Sequence, residues 1–105
     1  MEITFEKEYL SELYYKGECV DKKRRFQPPV VKKYIKTINI LESVSGIEDL
    51  FLYNGLHFEA LQGNEKNFFS VRVNDQYRIE FTTKQVVSEI VVTICNIEEL
   101  SNHYK

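Results

Sequence analysis

The stretch FFSVRVNDQYRIEF, Phe68 to Phe81, limits the possible folds of this chain more than any other. Strand alternation places Phe69, Val71 and Val73 on one face and Phe68, Ser70 and Arg72 on the other. Further along, Tyr77, Ile79 and Phe81 share a face, while Arg78 and Glu80 share the opposite one. Both apolar sets must meet the same core. A two-residue turn at Asn74-Asp75 would pair Arg72 with Tyr77 and leave one apolar set in water. A three-residue loop, Asn74-Asp75-Gln76, pairs Val73 with Tyr77 and Val71 with Ile79, and so satisfies both faces. The same register sets Arg72 directly across from Arg78. Like charges so placed destabilise a sheet by something under about 1 kcal/mol, a conflict that an anion bound between them would remove. Glu59 and His57 share a face of the preceding predicted strand and border the same surface. The pattern therefore proposes an anion site of two arginines beside a carboxylate. The competing reading is a wet sheet face of solvated charges, which antiparallel sheets commonly carry.

The first half of the chain supplies a layer to cover such a sheet. Residues 2–5 alternate as a short strand, and residues 6–16 repeat Tyr9, Leu10, Leu13 and Tyr14 at helical spacing until Gly17 stops them. A charged connector, residues 18–27, leads to Pro28 and Pro29, which open the strongest predicted helix. Its stripe is Val31, Tyr34, Ile35, Ile38 and Leu41, ending near Gly46, and residues 47–53 add a helical turn before Asn54-Gly55. Strands are predicted over 56–61, 68–73, 77–83 and 86–97, with a break at Lys84-Gln85 and a helical turn over 98–105. The 86–97 run is almost continuously apolar and reads as central. Together these give one α+β domain, residues 1–105, with two N-terminal helices packed on one face of an antiparallel sheet of four to five strands.

Composition narrows the function. A net charge of −2 argues against a general nucleic-acid coat and leaves room for a local basic patch. No apolar run approaches the ~20 residues that span a bilayer, and the opening MEITFEKEYL lacks the pattern of a secretory signal. Cys19 and Cys95 have no partner at metal-ligand or redox spacing, which suits a reducing, cytoplasmic setting without a disulfide. No glycine-rich phosphate loop is present, so neither metal nor cofactor is expected. Lys22, Lys23, Arg24 and Arg25 form a basic run beside Phe26, either a grip on nucleic-acid phosphates or a solvated connector. Lys32, Lys33 and Lys36 follow on the next helix. The tyrosines at 9, 14, 15, 34 and 53 read as core and rim rather than as stacking platforms.

The stretch FEALQGNEKNFFSVRVNDQYRIEF, Phe58 to Phe81, resembles the RelE/HigB-like toxins of bacterial type II toxin–antitoxin pairs. Leu61, Phe69, Ser70, Arg72, Tyr77, Arg78 and Ile79 fall in order and at matching spacing. Asn102-His103-Tyr104 resembles the His-Tyr ending of the YoeB-like branch, and the front half is similar only in its helix–helix plan. The resemblance implies a RelE-like fold and metal-free endonucleolytic cleavage of mRNA on translating ribosomes. It gives Glu59 the part of base, Arg72 and Arg78 the stabilisation of phosphate charge, and His103 the part of acid. Tyr104 would stack on or orient a base. Lys66, Phe68 and the basic run 22–25 would hold RNA. The implied partner is a HigA-like helix-turn-helix antitoxin, with the toxin reaching DNA only through it and no membrane involved. Three departures stand out. Gln62 replaces a lysine, the tail before His103 is longer, and the charge balance is acidic where ribosome-binding members are basic. Two rival readings are a catalytically silent binding module of the same fold and a standalone RNA-binding domain. The last predicts more exposed aromatics on the arginine face than Phe68 alone.

Overall fold

A computed structural model describes residues 1–21, 24–61 and 67–102. The chain runs β1 (Glu2–Phe5), α1 (Glu8–Lys16), α2 (Pro28–Ser43) and two 3-10 segments (Ile47–Leu52 and Asn54–Leu56). It continues as β2 (Glu59–Ala60), β3 (Phe68–Arg72), β4 (Tyr77–Val87) and β5 (Val91–Asn102). One five-stranded sheet results, in the order β1-β5-β4-β3-β2. The sheet is mixed, not antiparallel, because β1 lies parallel to β5, with Ile3 beside Cys95 and Phe5 beside Ile97. A parallel neighbour needs a long crossover, and here everything between β1 and β5 serves as one. The alternation of a four-residue strand carries no information about its direction.

The helices form where their punctuation says they should. Gly17 adopts φ 76 and its N–H closes α1 on the Leu13 carbonyl, a left-handed cap that glycine takes without a Cβ clash. Pro28 and Pro29 occupy the first turn of α2. Tyr9, Leu10 and Leu13 of α1 and Tyr34, Ile38 and Leu41 of α2 bury themselves with Phe69, Val71, Ile79, Phe81, Cys95 and Ile97 of the sheet. Tyr34 keeps its buried hydroxyl paired by donating to the Leu10 carbonyl at 2.8 Å. Both helices pack against β1 and α1 also against β5, while the Asn54–Leu56 segment lies against β3.

Three predicted elements change in the structure. The strand expected over 56–61 shrinks to Glu59–Ala60, because Asn54-Gly55 turns the chain into a 3-10 segment through Leu56. The break at Lys84-Gln85 is absent; neither residue brings turn chemistry, and Val86↔Val92 and Val87↔Val91 extend the ladder as apolar pairs. The reversal falls at 88–90, where Ser88 N–H donates to the Ile90 carbonyl at 3.0 Å. The helical turn expected from residue 98 is instead strand as far as Asn102, with a register shift opposite Glu80/Phe81. That shift absorbs one residue and returns Leu100 to the core opposite Ile79. The extended hairpin leaves Val86, Val87, Ile90 and Val91 exposed at its tip.

A polar cluster ties the connector to the sheet. Glu99 of β5 accepts from Lys7 Nζ at 2.6 Å, from Arg24 at 3.0 Å and from the Tyr9 hydroxyl. The Arg24 guanidinium also lies 4.4 Å above the Tyr9 ring. Burial raises the Glu99 carboxyl, but the hydrogen bonds from Lys7 and Tyr9 and the charges of Lys7 and Arg24 outweigh it and hold the group below its ordinary 4.5. A carboxylate lowered on folding contributes stability above its unfolded pKa and loses it as pH falls through the folded value. Glu99→Gln is therefore expected to unfold at lower denaturant than the wild type at pH 7. The gap should close in titrations taken below pH 4.5. Phe81→Ala, at a fully buried position, is expected to cost about 3–5 kcal/mol in chemical denaturation.

Candidate functional site

The site is built outward from the β3–β4 turn. The Asn74 side-chain oxygen accepts from the backbone N–H groups of Gln76 and Tyr77 at 2.9 and 2.7 Å, an Asx-type closure. Val73 N–H donates to the Tyr77 carbonyl at 2.9 Å. The strands then pair Val71 with Ile79, Arg72 with Arg78 and Phe69 with Phe81. This is the register that the hydrophobic pattern selects, and the two arginines stand opposite each other on the polar face.

Each arginine is held in its own way. Arg78 is only 12% exposed. Its Nε donates to Ser70 Oγ at 3.0 Å and its terminal nitrogen to the His57 carbonyl at 2.6 Å, with the Glu59 carboxylate 3.9 Å away. Ser70 is fully buried and sits between Glu59 on β2 and Glu80 on β4. Arg72 pairs instead with Asp75, whose side chain is 95% exposed. Internal partners ease the like-charge conflict, and the two guanidiniums differ: Arg78 is fixed by buried contacts, whereas Arg72 pairs with an exposed carboxylate.

Glu59 is exposed and borders Arg78 as expected. His57 is not a strand residue. It lies in the left-handed region at φ 42 after the 3-10 segment, and its backbone carbonyl, not its ring, engages Arg78. Phe68 shares the polar face and is half-buried, about 13 Å along the strand from Arg72 at ~3.3 Å per residue. Arg24 is committed to Glu99 and to the Tyr9 ring, while Arg25 is exposed. Lys22, Lys23, Lys66, His103 and Tyr104, with Gln62, lie outside the described residues. Sequence reasoning does not mark Ser70 or Asp75 as site residues. Alternation puts Ser70 on the Arg72 face, diagonal to Arg78, and that is the available signal.

Among the described residues no three His, Cys, Asp or Glu side chains cluster to hold a metal ion. Cys19 and Cys95 are free thiols. Burial pushes the Cys95 thiol up to about 12, which leaves it protonated and unreactive at neutral pH. No helix among the described residues is long and apolar enough to cross a membrane.

The family model for the RelE-like toxin of the type II toxin–antitoxin system HigB matches residues 3–94. The chain belongs to the HigB-like toxins. Toxin HigB-1 of Vibrio cholerae serotype O1 is 33% identical to it over 82 residues, which is 77% of this chain and 82% of that one. Among solved structures, a YoeB/ParE toxin from Agrobacterium tumefaciens superposes with a TM-score of 0.55 at 16% identity, covering 99% of this chain and 100% of the other. A YoeB dimer from Staphylococcus aureus gives 0.50 at 22% identity, covering 99% and 98%. These two likenesses concern the fold. Membership of a type II family implies an antitoxin partner for this HigB-like chain.

Because Ser70 Oγ is the acceptor for a nearly buried guanidinium nitrogen, Ser70→Ala is expected to cost about 1–3 kcal/mol in chemical denaturation. Asp75→Ala, which removes only an exposed ion pair, should change stability by under about 1 kcal/mol.

Proposed function

We propose that this HigB-like toxin is an mRNA endoribonuclease that needs no metal and works on translating ribosomes. The observation that supports the reading is the Arg72–Arg78 pair, one arginine from each strand, beside the Glu59 carboxylate on an open polar face. In the reaction a base takes the proton of a ribose 2′-hydroxyl, and the 2′-oxygen bonds to the adjacent phosphorus. The P–O5′ bond breaks and the leaving oxygen takes a proton from an acid. A 2′,3′-cyclic phosphate and a 5′-hydroxyl end result. Arginine suits the phosphorane, since it stays cationic and offers a planar fork to phosphate oxygens. In this scheme Glu59 is the base and Arg72 and Arg78 stabilise the developing charge. His103 supplies the proton, Tyr104 orients a base, and Lys66, Phe68 and the basic run Lys22, Lys23, Arg24 and Arg25 hold flanking RNA. The partner is a HigA-like helix-turn-helix antitoxin that silences the activity and links the toxin to DNA.

One observation favours a second reading, a catalytically silent module retained for its partner. Both arginines already have partners within the chain, and Gln62 stands in place of lysine. Tightly induced expression in a bacterial host separates the two. Under the nuclease reading the wild type arrests growth and fragments transcripts. Arg72→Ala should then reduce cleavage by about 10²–10³-fold while the protein keeps its fold by circular dichroism. Normal growth with abundant folded wild-type protein would overturn the nuclease reading in favour of the silent module.

A further inference from the structure

Beside the arginine pair, between α2 and the end of β3, lies a cavity of about 220 Å³ that none of the roles above uses. Its rim carries Lys33 and Lys36, three residues apart and so on one face of α2. Arg72 lines it as well, and Ile40 and Leu56 contribute apolar surface. Among the described residues no carboxylate lines it. The ion pairs among those residues involve Lys7, Arg24, Arg72 and Arg78, not Lys33 or Lys36. Tyr53, 40% exposed, lines the same cavity together with Gly55. Cations around an apolar patch with an accessible ring are the combination that holds single-stranded nucleic acid, phosphates on the cations and a base on the ring.

We propose that this groove binds the nucleotide adjoining the scissile phosphate, a subsite that rests on the RNA-cleaving reading above. Arg72 carries the assignment, because it both faces Arg78 and lines the groove. A strand whose phosphate lies between the two arginines leaves past one of them, and on the Arg72 side the path round the end of β3 leads to this cavity, whose lining Arg72 shares. Lys33 and Lys36 then take the following phosphate and Tyr53 stacks its base. An acidic peptide would use the lysines but would leave the tyrosine and the apolar surface without a planar partner.

The probe is a fluorescein-labelled, fully 2′-O-methylated RNA hexamer, which cannot be cleaved, titrated with purified protein by anisotropy over a range of salt. Lys33→Gln/Lys36→Gln is expected to weaken binding and to flatten the plot of log K against log salt by about 1.4, since two cations no longer neutralise phosphate charge. Tyr53→Ala should weaken it about ten-fold with the salt slope unchanged. Gly55→Phe provides a blocking variant. A Cβ at Gly55 meets nothing within 4 Å, and the residue is part of the groove lining. Wild-type affinity in all three variants, with Arg72→Gln still weakened, would overturn the subsite and leave the nuclease reading standing. Unchanged RNA affinity with loss of inhibition by the antitoxin would overturn it too, assigning the groove to a peptide. A wild-type chain that does not bind the hexamer at low salt also overturns it, and the expression assay then judges the nuclease reading separately.

Discussion

The Asn74 side chain folds the three-residue loop on which both the core and the arginine face depend. By accepting from Gln76 and Tyr77 it sets the count of residues between β3 and β4. Side chains alternate, so one residue more or fewer would turn Ile79 and Phe81 to water and Arg78 inward. Each buried aliphatic or aromatic side chain contributes about 1.5–3 kcal/mol, and an unpaired buried guanidinium adds a further penalty. Against this, Arg72 facing Arg78 costs under about 1 kcal/mol. Core burial wins by a wide margin, and the arginine pair is its consequence. The fold thereby places two cations side by side on its wet surface.

How that juxtaposition is tolerated gives the arginines different capacities. Arg78 is held by a buried hydroxyl and by a backbone carbonyl that His57 presents from a left-handed conformation. Such a conformation costs a non-glycine residue about 1–2 kcal/mol, and a hydrogen bond from a charged donor contributes about 1.5–3 kcal/mol, enough to offset it. These contacts orient Arg78 without cancelling its charge. Arg72 leans on an exposed carboxylate, an interaction worth about 0–1 kcal/mol, so little free energy is needed to open that pair. One arginine is pre-positioned and the other is exchangeable.

What is legible in the sequence follows the strength of its constraints. The Phe68–Phe81 register is readable because two apolar sets have to share one core, and only one loop length allows that. The helices are readable from Gly17, Pro28 and Pro29. The parallel β1–β5 pairing is not, since direction is set by where the crossover delivers β5. The hairpin tip is easily misplaced because Lys84 and Gln85 look like a polar break, while cross-strand valine pairs beyond them sustain the ladder. At the site, alternation brings Arg72, Arg78 and Glu59 together. It does not foresee that His57 contributes a carbonyl rather than an imidazole, because a backbone group has no sequence signature. Nor does it show that Arg24, inside a run of basic residues, is committed to Glu99.

An acidic net charge does not contradict an anionic substrate, because several of the carboxylates are neutralised or bonded away from the groove. Glu99 is neutralised by Lys7 and Arg24. Glu98 is bonded to Thr82 and Asn96, and Glu6 to Asn96. All of this lies around β1, β5 and the adjoining part of β4. Lys33, Lys36 and Arg72 line the opposite edge, where no carboxylate among the described residues enters the cavity. A field of one sign over a cleft raises the local concentration of its counter-ion whatever the total charge. Solved structures with the same fold at 16% and 22% identity show how little sequence the layer itself requires. A fold does not confer a function, so the layer alone does not separate an active toxin from a silent relative.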